Sequence, residues 1–257
     1  MGILTQGEHK CNISGSSNTH INNKYILMAK GESMKILGIC CSPRKGGNTE
    51  ILLREALLGA GESGADTDIS TVHDKDLKPC DGCGVCRKKG ICHIQDDMQP
   101  LYEKLLASQG VIFASPVYFW SVTSQGKMIL DRLNSYYALA KLTGKVGGAI
   151  AVAGSQGHTE VRSLLYSFFA WNHMFIADFV SAFATEKKQV QRDRHAMTCA
   201  RLLGKKIVGI AQKQLSYPED FNIPLTVYVR DNLKIPSSGA EGRFLTSNDG
   251  TTNILPS

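Results

Sequence analysis

No apolar run in this 257-residue chain approaches the ~18 residues that a membrane-spanning helix needs; the longest, 110–120 and 146–153, are the length of strands. The N-terminus has no basic segment leading into an apolar one, so nothing there directs secretion. A cytoplasmic location, with no membrane partner, is expected. Aromatic residues are sparse at 7% and charged residues reach only 20%, against 42% hydrophobic. That balance excludes collagen-like, mucin-like and wholly disordered chains and leaves a protein able to bury a core. The length suits one large domain, or one domain with appendages.

A basic stripe interleaved with aromatics is also missing, so nucleic acid is not an expected partner. The net charge is +6; residues 1–33 carry +1, residues 214–257 carry −2, and the middle therefore carries +7. Such an excess reads as a docking bias toward acidic partners. Neither the Lys-Ser/Thr ending of a Walker loop nor the GxGxxG spacing occurs where it would matter, which counts against a nucleoside triphosphate or a Rossmann-type dinucleotide.

What is present is an alternation of short apolar runs with amphipathic stretches from Met34 onward. Strands are expected at 35–41, 67–72, 111–115, 146–153 and 175–183. Helices are expected at 48–61, with Asn48 or Thr49 as cap, then at 96–107, 122–135, 159–173 and 192–212. Five strands alternating with five helices imply an α/β fold, a doubly wound parallel sheet covered on both faces. Residues 1–33, rich in Asn, Ser and Gly, read as a flexible extension, and Met28 or Met34 could each be the true start. Residues 34–213 form the domain, and 214–257 read as an arm or tail, with a short strand possible at 225–229.

In such a sheet a ligand sits beyond the carboxyl ends of the strands. The loop after strand one, Ser42-Pro43-Arg44-Lys45-Gly46-Gly47-Asn48-Thr49, brings hydroxyls, cations and glycine amides to a helix start, where a monophosphate would be favoured; an ordinary glycine turn is the plain alternative. The loop after strand three, Pro116-Val117-Tyr118-Phe119-Trp120-Ser121, places three aromatics in a row. They suit a planar heterocycle, or a subunit interface. The loop after strand four, Gly154-Ser155-Gln156-Gly157, supplies small residues able to approach a ring edge. His73, His93, His158, His173 and His195 read as surface histidines, and Cys40 and Cys41 as buried packing.

Four of the eight cysteines, Cys80, Cys83, Cys86 and Cys92, fall within thirteen residues. Thiolates are the usual iron-sulfur ligands, and two successive x2 spacings let a short loop wrap three corners of a cubane, with a fourth ligand five residues on. Free redox thiols and zinc are the alternatives.

Together, the three loops and their strand order resemble the flavodoxin-like fold and the NADPH-dependent FMN reductase group over residues 34–212. The cysteine run resembles that of the iron-sulfur flavoproteins. That resemblance implies strand order 2-1-3-4-5, FMN, a 4Fe-4S cluster and a cytoplasmic homodimer or homotetramer that moves electrons. Carried over by position, Ser42, Arg44, Asn48 and Thr49 would grip the FMN phosphate. Pro116, Val117, Tyr118, Phe119, Trp120 and Ser121 would flank the ring, and Gly154, Ser155, Gln156 and Gly157 would close its other side. The segment 127–132, with Asp131-Arg132, matches the helix that follows the flavin loop in these relatives, and Asp96-Asp97-Met98 follows the cysteines as in related oxidoreductases. With strands about 5 Å apart, the cluster would lie on the order of 10–15 Å from a flavin. A ferredoxin-like donor docking beside Arg87, Lys88 and Lys89 would deliver electrons. The rival is an NAD(P)H-dependent FMN or quinone reductase with no cluster; a flavin-binding protein without turnover is the second.

Overall fold

A computed structural model describes residues 33–137 and 141–215. The elements are β1 (Lys35–Cys40), α1 (Asn48–Glu62), β2 (Asp66–Thr71), α2 (Val85–Lys89), α3 (Met98–Ala107), β3 (Gly110–Pro116), α4 (Ser124–Arg132), α5 (Asn134–Tyr137), β4 (Val146–Ala153), α6 (His158–Trp171), β5 (Phe175–Phe183), a 3-10 turn (Gln189–Arg192) and α7 (Arg194–Ala211). The five strands form one sheet in the order β2-β1-β3-β4-β5, and every neighbouring pair is parallel. This is the doubly wound, flavodoxin-like order that the alternation of elements predicts.

The central strands are apolar without interruption because both of their faces are covered. β4 is buried along its whole length. Alternate side chains feed two cores. Ile36, Ile112 and Ile150 pack with Leu52, Leu53 and Leu203 on the α1/α7 face. Leu37, Val111 and Phe113 pack with Leu105, Ile129, Leu165 and Phe169 on the α3/α4/α6 face. β2 is an edge, and the exposed Asp66, Thr67 and Asp68 keep it polar.

Register puts the carboxyl ends side by side: Cys40 stands opposite Thr71 and Ala114, Pro116 opposite Val152, and Ala153 opposite Phe183. The loops leaving these ends therefore share one rim.

Some boundaries differ from the sequence expectation. The cap of α1 is Gly47, not Asn48 or Thr49. The stretch 122–135 breaks after Arg132, whose carbonyl accepts from the Tyr102 and Ser135 hydroxyls. The last helix begins at Arg194, where the Asp193 side chain accepts from the Ala196 amide. A short helix, α2, lies inside the cysteine segment. His73, His158 and His173 are half-buried and not surface residues, while Cys40 and Cys41 are buried as expected. The extension 1–33, but for its last residue, and the tail after its first two residues, with its strand at 225–229, lie outside the described residues. No helix among the described residues is long and apolar enough to cross a membrane.

Helices α1 and α7 meet backbone to backbone. A Cβ on Gly59 would fall 2.0 Å from the Arg201 carbonyl oxygen, and one on Gly204 would fall 1.8 Å from that of Ala56. Rigid backbone cannot give way there. Gly204→Ala should therefore destabilise by about 1–3 kcal/mol through overpacking, although alanine is the better helix former by ~1 kcal/mol. A lower urea midpoint is expected, and an unchanged or higher one would contradict this contact.

Candidate functional site

The loop after β1 is held open toward the rim. Glycine at the cap of α1 supplies no side chain to the helix amides, so the first-turn N–H groups have no intrahelical partner and favour an anion. Ser42 is buried and its Oγ accepts from the Arg44 amide at 3.2 Å. Glu50 reaches back one turn: its Oε2 accepts from the Gly46 amide at 2.7 Å while Oε1 takes two bonds from Arg54. Arg44 is exposed and Thr49 is buried in the first turn. Asn48 behaves otherwise than its position suggests. Its Nδ2 donates to the Glu186 carbonyl at 2.7 Å and its Oδ1 accepts from the Val190 amide at 3.2 Å. The side chain thus ties this loop to the one after β5, which sequence reasoning did not include in the rim.

The aromatic loop is a two-residue hairpin. The amides and carbonyls of Tyr118 and Ser121 exchange bonds of 2.9 and 3.1 Å, and both central residues have positive φ, 45° at Phe119 and 59° at Trp120. Left-handed backbone is costly for large aromatic residues, and strain of this kind collects at functional sites. Phe119 is 91% exposed and Trp120 and Tyr118 about half. Phe119 and Trp120 meet edge to face, 5.4 Å between centroids.

The loop after β4 closes against this hairpin. Gly157, at φ 95°, lies so near it that a Cβ would sit 2.4 Å from Val117 Cγ1. Gly154, Ser155 and Gln156 are exposed beside it. His158 follows, with Nε2 2.9 Å from the Ala182 carbonyl oxygen and its ring edge against Phe183. Thr123 binds two of these loops together. Its hydroxyl donates to the Cys41 carbonyl at 2.6 Å and accepts from the Gly126 amide as the cap of α4, and its amide donates to Ser115 Oγ. A Ser or Thr before a helical stretch is the sequence signal that could have found it.

The cysteine segment rises from β2 as a stalk and a loop. In the stalk, Asp97 Oδ2 accepts from the Asp76 amide at 2.8 Å, and Asp96 Oδ2 accepts from the Lys78 amide at 2.9 Å. Asp97, adjacent to α3, makes no capping bond with its side chain. Beneath the loop, Arg132 and Asp96 form an ion pair at 2.7 Å with side chains 1% and 0% exposed. Arg132 also donates to the Lys78 carbonyl at 2.9 Å and to that of Ile94 at 3.2 Å, holding both limbs. Lys141 donates to the Gly90 carbonyl at 2.9 Å.

All four cysteines of the run are free thiols; Cys80 and Cys83 are exposed, Cys86 and Cys92 half-buried. Gly82 and Gly84 bracket Cys83 with positive φ, and nothing lies within 4 Å of either missing Cβ. The backbone can therefore wrap a bulky group there. Asp81 joins the Cys83 amide to His93, whose Nε2 is 2.7 Å away, and the ligand atoms of Asp81, Cys83 and His93 all lie within 4.8 Å of one another. Four thiols and flanking glycines fit a thiolate-bound cluster; the Asp-Cys-His trio also has the chemistry to hold a single divalent ion.

Charges follow this geometry. Hydrogen bonds from Cys83, and after them His93, hold the Asp81 carboxyl down at about 2. The Val85 amide favours a Cys83 thiolate, but the Asp81 hydrogen bond, partial desolvation and neighbouring charge together push the thiol up. A metal must then displace its proton. Burial raises Cys40 to about 11 and raises Cys41 too, so neither is a reactive thiol. Burial works against the Asp96 carboxylate, yet hydrogen bonds from Arg132 and from the Lys78 and Met98 amides, with the guanidinium charge, hold it below its usual range.

The sheet order, the rim and the strained aromatic turn define a flavodoxin-like oxidoreductase. Residues 34–188 match the family described as NADPH-dependent FMN reductase. An iron-sulfur flavoprotein of Methanocaldococcus jannaschii is 40% identical over 145 residues, 56% of this chain and 75% of that protein. One from Methanosarcina thermophila is 40% identical over 144 residues, 55% of this chain and 74% of that protein. RosB, solved with a bound 8-demethyl-8-formylriboflavin-5′-phosphate intermediate, shares the fold with a TM-score of 0.63 at 17% identity, over 88% of this chain and 95% of its own. The chain belongs to the NADPH-dependent FMN reductase family and, within it, to the iron-sulfur flavoproteins.

The stalk yields a prediction. Asp96→Ala strands the buried Arg132 charge and should cost about 3–5 kcal/mol at neutral pH. Because the folded pKa of Asp96 is depressed, its contribution is complete above the unfolded value near 3.9 and is lost as pH falls through the lower folded value. Urea midpoints of wild type and variant should differ widely at neutral pH and converge on acidification below about pH 4. An equal gap at both would contradict the assignment.

Proposed function

We propose that the chain is an electron-transfer flavoprotein that holds FMN on the rim and one 4Fe-4S cluster on the cysteine loop, and that passes electrons between a ferredoxin-like one-electron carrier and an acceptor. The observation that carries this reading is α4. It is nine residues long, about 13 Å at 1.5 Å per residue. Thr123 at one end knots the rim loops, and Arg132 at the other clamps the cysteine stalk. One rigid rod thus separates the two candidate sites by a span suited to electron exchange.

When bound, the two groups supply one-electron and two-electron chemistry within one protein. The residues have separate tasks. Ser42, Thr49, Arg44 and the first-turn amides of α1 take the phosphate; Asn48 contributes through its backbone amide, since its side chain anchors the β5 loop. The stretch from Pro116 to Ser121 lies along one side of the ring, and Gly154 to Gly157 lies along the other. Cys80, Cys83, Cys86 and Cys92 ligate the cluster. Exposed aromatics at the hairpin suit burial in a homodimer or homotetramer. The Arg87-Lys88-Lys89 run suits an acidic carrier. A cytoplasmic location suits the four free thiols, which persist in a reducing compartment.

The description of the matched family favours a second reading, an NAD(P)H-dependent FMN or quinone reductase without a cluster. Iron content decides between them. Anaerobically purified protein should carry about four irons per chain, with an absorbance shoulder near 400 nm over the flavin bands, and Cys83→Ala should lose iron while keeping FMN. Flavin without iron would transfer the assignment to the reductase. Gly157→Ala should push the two rim loops apart and weaken FMN binding about tenfold, equivalent to ~1.4 kcal/mol, with iron unchanged. Unaltered FMN affinity in that variant would remove the β4 loop from the flavin site.

A further inference from the structure

Glu50 is a buried charge to which the reading above gives no task. It is the third residue of α1, and its side chain is 7% exposed. In a capping box the acidic residue at this position bonds back to the cap amide, while a Ser or Thr at the cap bonds forward to an amide of the first turn. Here only the backward half is made. Oε2 accepts from the Gly46 amide at 2.7 Å, one residue before the cap. The forward half has no side chain to make it, because the cap is Gly47, and a Cβ there would crowd the Arg44 carbonyl oxygen at 3.2 Å.

The loop is therefore fixed while the first-turn amides of α1 stay unused. Ser42 Oγ holds the Arg44 amide, the Arg44 carbonyl holds the Gly47 amide at 3.3 Å, and Glu50 holds that of Gly46, whose φ of 62° is left-handed. The first intrahelical bond runs from the Ile51 amide to the Gly47 carbonyl. The amides of Asn48, Thr49 and Glu50 precede it and have no helical acceptor. Nor does the Asn48 side chain cover them, since it bonds to Glu186 and Val190.

A carboxylate beside an anion site would repel the ligand if it stood alone. Arg54 offsets it with two bonds to Oε1, at 2.9 and 2.7 Å. His73 adds a cation when protonated, its Nε2 3.9 Å from Oε2. Burial disfavours the carboxylate, yet the Gly46 amide, the Arg54 bonds and the charges of Arg54 and His73 hold it below its usual range.

We propose that Glu50 is the positioning residue of the phosphate site: it keeps the Gly46 amide, holds the β1 loop in its turn, and so presents the Asn48, Thr49 and Glu50 amides together to the phosphate of FMN. The inference rests on the FMN reading above. Its consequence is selectivity among flavins. A flavin with a terminal phosphate gains the three amides, and the same ring on a bare ribityl chain does not.

The test is equilibrium dialysis of the full chain, washed free of flavin, against FMN and riboflavin in parallel. Wild type should prefer FMN. Glu50→Ala should lower FMN affinity about tenfold, or ~1.4 kcal/mol, the worth of one hydrogen bond to a charged group, with riboflavin affinity unchanged. Glu50→Gln keeps an acceptor for the Gly46 amide and should restore most of the loss. A structural role alone would lower both affinities alike and leave their ratio intact. That unchanged ratio, a Glu50→Gln as weak as Glu50→Ala, or a wild type with equal affinity for the two flavins overturns the Glu50 assignment and leaves the flavin rim standing. A wild type that binds no FMN overturns both. If Glu50→Ala does not fold, nuclear magnetic resonance of the wild type with FMN decides: phosphorus couplings are expected at the first-turn amides of α1. Their absence, or a coupling at the Gly46 amide, overturns the assignment.

Discussion

The buried pair of Arg132 and Asp96 is the constraint on which the arrangement of the cysteine loop depends. Two opposite charges out of water are costly, and their attraction compensates only when the remaining donors and acceptors are satisfied. Here the carboxylate takes two guanidinium bonds and two backbone amides, and the guanidinium adds two carbonyls, one on each limb of the loop. Such a pair contributes less to net stability than to geometry. It makes one separation of the two limbs far better than any other, and so fixes where a solvent-facing loop stands over the sheet edge.

The same economy of means runs along α4 to the rim. Thr123 starts that helix and grips the backbone after β1, while Arg132 ends it and grips the stalk from β2. Sheet register has already set the carboxyl ends of the strands side by side, so the helix has only to bridge neighbouring loops. The rim itself is made of conformations that generic packing does not favour: left-handed Phe119 and Trp120, a glycine at 157 under the hairpin, a helix start with no side-chain cap. Each exposes a ring face, a close backbone approach or free amides, which are the three things a phosphorylated planar heterocycle needs.

Much of this was legible in the sequence. A central parallel strand buried on both faces must be a near-continuous apolar run, and β4 was therefore bounded correctly from the pattern; β5, at the sheet edge, was bounded correctly too, although its burial alternates. The loops after β1, β3 and β4 stood out because glycine, hydroxyl and aromatic residues cluster there against the surrounding periodicity. The long-range roles did not stand out. Asp96-Asp97 before an amphipathic stretch reads as a helix start, and Asp96 does accept from the Met98 amide there, yet each carboxylate also holds an amide some 20 residues earlier and Asp96 pairs with Arg132, 36 residues on. Asp131-Arg132 falls inside the helix expected at 122–135 with nothing to mark either residue, and only the tertiary fold shows that Asp131 pairs with Lys127 in solvent while Arg132 is buried. Asn48 likewise looks like a cap or a phosphate ligand until the β5 loop, 138 residues on, is seen to hold its side chain. Local pattern encodes period and breaks in period; a single polar residue whose partner is distant in sequence leaves no such trace.

The central claim is that a thiolate-bound cluster and a flavin rim are held on one sheet edge by the two ends of one helix. Diffraction at the iron absorption edge from crystals of the anaerobically prepared full chain tests it most directly. The account predicts anomalous density for a compact group of irons enclosed by Cys80, Cys83, Cys86 and Cys92, above Arg132 and one α4 length from Thr123. A single peak ringed by Asp81, Cys83 and His93, or no iron beside the stalk, would contradict it.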